Sequence, residues 1–204
     1  MSLYINFDKY EETKRQIESL VPTFGYCFFI DITGSTSIKD EKLSKWIIYI
    51  YNTFANVRTF LYDKFEPIKI LGDGLLYFIP EADMKDETVL TLFHGLTNIS
   101  GEKERYFKEV KIGAAFCRHA YDITFSKGNR DIYGKDIDLT SRLAGFAESK
   151  EIVMNKEFVN KLREEYGRMF NKASFPEVEE IKGPELRDDI KGLRDKVEIF
   201  RVKL

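Results

Sequence analysis

Apolar residues recur along this chain at strand spacing in some segments and at helical spacing in others, and the alternation predicts an α+β domain. Residues 8–20 read as an amphipathic helix with Tyr10, Ile17 and Leu20 inward, closed by Pro22 and Gly25. Residues 26–32 are almost continuously apolar and predict the first core strand. A small-residue turn at 33–37 leads into a long helix over about 38–64. In it Leu43, Trp46, Ile47, Ile50, Phe54, Val57, Phe60 and Leu61 recur every three or four positions, which predicts a core-facing helix. Segments 68–71 and 75–79 flank Gly72-Asp73-Gly74 and predict a β-hairpin on a tight Asp-Gly turn.

Further along, 84–98 reads as a helix, and 110–118 as a strand that 120–125 continues or pairs with. A helix over 136–147 follows the turn at Gly134, then a short strand at 151–154 and a helix at 155–168. The charged stretch 177–189 predicts a solvated loop or hairpin, and the alternation over 196–202 a terminal strand. The order β-α-β-β-α-β implies a ferredoxin-like α+β fold, an antiparallel-rich sheet with helices on one face. Residues 1–204 form one domain, with a core from about 24 onward behind the N-terminal helix.

Composition narrows the partners. With 32 basic and 34 acidic residues the net charge is −2, so nothing pulls the whole chain towards nucleic acid or a membrane surface. No apolar run approaches a membrane span and the N-terminus lacks a signal-peptide stretch, which predicts a cytoplasmic protein. Cys27 and Cys117 lie inside apolar runs and predict reduced, buried thiols, since no Cys/His ligand spacing accompanies them. His94 and His119 read as a helix-surface and a strand-end residue.

Two aspartates change the picture. Asp31 ends the first core strand and Asp73 sits in the hairpin turn. A carboxylate at the end of a buried strand is costly to desolvate unless it is paired or binds a cation. Two of them on neighbouring strands suit hard divalent cations, which prefer oxygen ligands. Thr33, Gly34, Ser35 and Thr36 follow Asp31 directly, and free N–H groups in such a turn before a helix suit a phosphate chain. A third segment runs from Asp131-Ile132-Tyr133-Gly134 to Asp138 and Arg142.

Taken in order, Asp31 to Thr36, Lys69 to Asp73 and Asp131 to Arg142 resemble the motifs of the class III nucleotidyl cyclases, the adenylate and guanylate cyclase catalytic domains. Ile190 to Leu193 and the strand after it resemble that family's closing strand. The resemblance implies a two-metal mechanism. Asp31, Asp73 and the Ile32 carbonyl bind two divalent cations per site, Mn²⁺ or Mg²⁺. The ribose 3′-hydroxyl then attacks the α-phosphorus, and pyrophosphate leaves. It implies that Arg142 steadies the transition state, that Thr33 to Thr36 and Lys191 hold the triphosphate, and that Lys69 and Asp131 read the base. Asp138 stands where the family usually has a ribose-orienting asparagine, a departure that adds negative charge beside the triphosphate. The resemblance also implies a homodimer, because the metal aspartates come from one subunit and the base-reading pair and the arginine from the other.

Lys69 and Asp131 match the pair that reads adenine in adenylate cyclases, yet cytosine offers the same acceptor-beside-amine edge and uracil a carbonyl beside a ring N–H. Tyr49 and Tyr51 lie on the helix near the site, and an aromatic in the space of a purine's second ring favours a pyrimidine. The compact domain is also similar to the free-standing bacterial pyrimidine cyclases of anti-phage defence, which make cyclic UMP or cyclic CMP for a separate effector protein. Adenylate cyclase activity and a non-catalytic nucleotide-binding or dimerisation module are the alternatives.

Overall fold

A strand that is apolar on both sides has to be covered twice, and residues 23–32 and 110–124 are such segments. The computed structural model describes residues 3–61, 65–84, 88–100, 108–125, 131–190 and 196–204. Within them the strands are β1 (Leu3–Tyr4), β2 (Thr23–Ile32), β3 (Lys69–Leu71), β4 (Gly74–Pro80), β5 (Val110–Thr124), β6 (Ile132–Tyr133), β7 (Glu151–Asn155), β8 (Lys182–Arg187) and β9 (Val197–Lys203). The helices are α1 (Tyr10–Glu18), α2 (Ser35–Glu41), α3 (Leu43–Phe60), α4 (Val89–Thr97), α5 (Lys135–Phe146) and α6 (Lys156–Arg168).

The sheet runs β3-β4-β2-β5-β7-β9-β8, with β1 and β6 added to the far end of β5. Neighbours are antiparallel along this path except β5 and β7. On one face Tyr26, Phe28 and Ile30 of β2 join Ile112 and Phe116 of β5 under α4, α6 and the end of α3. On the other face Cys27 and Cys117 join Leu76, Phe78 and Val153 under Ile137 and Leu143 of α5. Both cysteines are buried free thiols, and burial pushes the Cys117 thiol well above its ordinary pKa.

The antiparallel-rich α+β sheet is as the sequence predicts, but helices cover both faces rather than one. Strands apolar on both sides demand this, and α5 supplies the second layer. Its approach is close. A Cβ at Gly113 on β5 would lie 2.1 Å from the Thr140 carbonyl oxygen and 2.5 Å from the Ala144 nitrogen, both backbone atoms of α5. Gly113→Ala must therefore push the helix off the sheet, and overpacking of this kind costs about 1–3 kcal/mol. Urea unfolding checks it: the midpoint falls, and an unchanged midpoint contradicts this packing.

The predicted helix over 38–64 is two helices. Lys42 is extended (φ −161°, ψ 114°); its N–H closes α2 on the Ile38 carbonyl and its own carbonyl opens α3. The break lets Ile38 reach the core while the next turns swing outward. Leu43 and Ile47, read as core positions, are 56% and 53% exposed, whereas Val57 and Leu61 are fully buried. The inward positions expected for α1 are also corrected: Tyr10 is 70% exposed and Ile17 is exposed, while Thr13 is buried and donates its hydroxyl to the Asn6 carbonyl. A helix with so few apolar residues rests on the surface instead of entering the core.

The hairpin over 68–79, the strand at 110–124, the helices after Gly134 and Asn155, and the terminal strand follow the sequence reading. The charged stretch forms β8, an exposed strand paired with β9. No helix among the described residues is long and apolar enough to cross a membrane.

Candidate active site

Register brings the two aspartates together. Asp31, next to last in β2, lies opposite Gly74 of β4 and Lys111 of β5. Asp73 immediately precedes Gly74, in a two-residue turn that Gly72 permits with φ +66°. Cross-strand partners share a face. Asp31 and Lys111 alternate in step with Cys27 and Cys117, so both belong to the side that α5 covers. Lys111 Nζ is 3.2 Å from Asp31 Oδ2. Burial raises the Asp31 carboxyl above the ordinary aspartate range; Lys111 opposes this and the charge of Asp73 adds to it. The Ser35 hydroxyl donates to Asp73 Oδ2.

Two neighbouring carboxylates, of which only Asp31 has an ammonium partner among the described residues, are under-neutralised, a donor set that fits hard divalent cations. Among the described residues no group of three or more His, Cys, Asp or Glu is placed to hold a metal. Cations here would rest on Asp31, Asp73, nearby carbonyls such as that of Ile32, and a ligand's own oxygens, a common arrangement for Mg²⁺.

The loop that follows is only partly as expected. Gly34 has φ +68°, and the Thr33 N–H donates to the Glu109 carbonyl at 2.9 Å. The Thr33 hydroxyl is buried and finds no hydrogen-bond partner among the described residues, while Thr36 is exposed. Ser35, read from sequence as a phosphate contact, is buried and turned to Asp73. Lys191, the other residue read as a phosphate contact, lies outside the described residues.

A second cluster gathers Lys69, Asp131 and Tyr133. Lys69 pairs in register with Leu76, so it too is on the α5 side. Its ammonium forms an ion pair with Asp131 Oδ2, which also accepts the Tyr133 hydroxyl at 2.7 Å. Asp131 Oδ1 accepts the Ile132 N–H at 2.8 Å. Burial pushes the Asp131 carboxyl up, but Lys69, Tyr133 and the Ile132 N–H together hold it below the ordinary range. Sequence reasoning had joined Lys69 to Asp131 and missed Tyr133, whose place two residues after Asp131 was the available signal.

Asp138 and Arg142 lie one turn apart on α5, the first exposed and the second half-buried. The helix is anchored by Asp136, whose carboxylate accepts the N–H groups of Arg118 and His119 at 2.8 and 3.0 Å. His119 also faces Asp136, and His94 faces Glu177 at 2.9 Å, so each has a carboxylate partner. Tyr49 sits on α3 with the Lys108 ammonium 5.2 Å from its ring centroid. The Lys108 N–H reaches Thr53 Oγ1 one turn on, and Val110 beyond it pairs with Ile32. Tyr49 is therefore at the Asp31 end of the sheet.

No protein-family model and no curated protein matches the chain. Its fold is that of the adenylyl and guanylyl cyclase catalytic domains. The adenylyl cyclase CyaB from P. aeruginosa is 18% identical, with a TM-score of 0.61 over 88% of this chain and 93% of that one. The guanylyl cyclase Cya2 is 17% identical, with a TM-score of 0.63 over 90% and 93%. An adenylate cyclase from Trypanosoma brucei, solved in its monomeric state, is 12% identical, with a TM-score of 0.67 over 88% of both chains.

Proposed function

We propose that this chain is a nucleotidyl cyclase that converts a nucleoside triphosphate into a 3′,5′-cyclic nucleotide and pyrophosphate. The observation that carries it is the approach of Asp73, in the β3–β4 turn, to Asp31 near the end of the neighbouring strand β2, on a fold shared with adenylyl and guanylyl cyclases. The ribose 3′-oxygen attacks the α-phosphorus, its proton leaves to solvent, and the bond from the α-phosphorus to the bridging oxygen breaks. Divalent cations on Asp31, Asp73 and the Ile32 carbonyl would acidify the 3′-hydroxyl and offset phosphate charge. Ser35 orients Asp73 through its hydroxyl. Lys111 adds a positive charge beside Asp31, where the charge of the triphosphate would collect. Thr33, Gly34 and Thr36 line the phosphate side, and Lys191 joins them in this reading. Lys69 and Asp131 meet the base, Asp138 faces the ribose, and Arg142 steadies the phosphorane-like transition state.

The site is shared in a homodimer. α3 and β3 leave Leu43, Ile47, Ile48, Tyr51, Ile70 and Leu71 exposed, an apolar surface of the kind a second copy covers. The preferred base is a pyrimidine, uracil ahead of cytosine. Tyr49, at the metal end of one subunit, would face the Lys69–Asp131 pair of the other and fill the space of a purine's second ring. With that reading goes a role in bacterial anti-phage signalling, the cyclic nucleotide being read by a separate effector protein; its support is resemblance alone.

Pure protein is incubated with Mn²⁺ and each of ATP, GTP, CTP and UTP, and the products are identified. Cyclic UMP or cyclic CMP is the expected main product. Cyclic AMP as the main product would replace the pyrimidine reading with an adenylate cyclase, and no cyclic product from any nucleotide would leave a binding module.

A further inference from the structure

The contacts of Asp131 are shared unequally between its two oxygens. Oδ2 takes both the Lys69 ammonium and the Tyr133 hydroxyl, the latter at 2.7 Å. Oδ1 takes the Ile132 N–H at 2.8 Å. An ionised carboxylate offers about four lone-pair sites, two on each oxygen. Among the described residues Oδ2 is therefore filled, and one acceptor position remains, on Oδ1. Lys69 spends one N–H on Asp131 and keeps its other donors.

Tyr133 also carries Lys69, whose ammonium lies 5.3 Å from the centroid of its ring. The ring is braced from behind. Phe125 meets it edge-on at 5.2 Å and 81°, and Phe125 in turn packs on Phe7 at 6.4 Å. One side chain thus fixes both members of the base-reading pair.

We infer that Tyr133 is a positioning residue for base discrimination, holding Lys69 and Asp131 so that they offer a nucleobase a donor beside a single open acceptor. The inference rests on the cyclase reading for the identity of the ligand. A base edge with an acceptor next to one N–H fits this pair, as adenine, cytosine and uracil do. Guanine offers O6 and N1–H to the same pair, but its adjacent N2–H is satisfied only when a carboxylate reads N1–H and N2–H with both oxygens. With Oδ2 filled by Tyr133 and Lys69, that two-oxygen reading is blocked.

Tyr133→Phe keeps the ring, its contact with Phe125 and its place under Lys69, and returns one lone pair to Oδ2. The test measures binding by calorimetry, on wild-type and Tyr133→Phe full chain with Mn²⁺. The probes are the four 3′-deoxynucleoside triphosphates, which lack the attacking hydroxyl, and inorganic tripolyphosphate, which lacks a base. Affinity for the preferred nucleotide should fall about fivefold to tenfold and that for 3′-deoxy-GTP should hold or rise, so their ratio shrinks about tenfold or more. Tripolyphosphate affinity and melting temperature should not move. An unchanged ratio, or tripolyphosphate weakening in step with the nucleotides, overturns the inference. Product formation from the ribonucleotides is assayed in parallel. A shifted ratio without any cyclic product defeats the cyclase reading and upholds the role of Tyr133, while wild-type protein that binds no nucleotide defeats both.

Discussion

Asp31→Asn and Asp73→Asn each lower kcat at least about 10³-fold, on the order of 4 kcal/mol of transition-state stabilisation, while the protein stays folded. The exchange keeps shape and removes one negative charge. For Asp31 that charge is already disfavoured, since burial and the neighbouring Asp73 raise its carboxyl against the opposing pull of Lys111. Neutralising it therefore relieves repulsion between the two side chains, at the expense of a half-buried ion pair with Lys111. For Asp73 the amide oxygen can still accept the Ser35 hydroxyl, so the turn keeps its anchor. A thermal melt within a few degrees of wild type, together with lost Mn²⁺ binding by calorimetry, is the matching physical result. Either variant turning over within tenfold of wild type removes the two-carboxylate assignment.

Asp31→Ala protein and Arg142→Ala protein, each inactive alone, regain activity when mixed. In the proposed symmetric dimer every site would take Asp31 from one subunit and Arg142 from the other. A heterodimer of the two variants then holds one intact site and one doubly damaged one. Random re-pairing makes about half the dimers mixed, so roughly a quarter of wild-type activity returns. The apolar surface on α3 and β3 is what a second copy would cover in such a dimer, since Ile47, Tyr51 and Ile70 are 53%, 71% and 61% exposed. Mixing with no recovery, under conditions where dimers exchange, rules out a site divided between subunits.

Much of this was legible in one dimension. Asp31 stood out because it ends an apolar run, where a charge needs a reason, and Asp73, Lys69 and Asp131 because their ordered motifs resemble those of the cyclases. The hairpin was equally plain from a glycine-rich turn between two apolar runs, although the register makes Gly72-Asp73 the turn and Gly74 the first residue of β4. The partner of the Ser35 hydroxyl was not legible, for a physical reason. In sequence it is one of four small residues suited to phosphate, and nothing local says that α2 turns its hydroxyl inward to a residue 38 positions away. Lys111 was invisible for the same reason, because its meeting with Asp31 depends on the register of β2 against β5.

Hydrophobic spacing determined the strands, most helices and the α+β class, because burial acts on each segment's own period, while the resemblance of three ordered motifs picked out Asp31, Asp73, Lys69 and Asp131 as candidate positions. Three-dimensional packing decided that α5 covers a second face, that α3 turns Leu43 and Ile47 to the outside, and that Lys111, Ser35 and Tyr133 complete the two clusters. These contacts join side chains from separate elements, and their distances follow from strand register and helix approach. A local pattern carries information about which side of a segment is apolar, and none about what will be set against it.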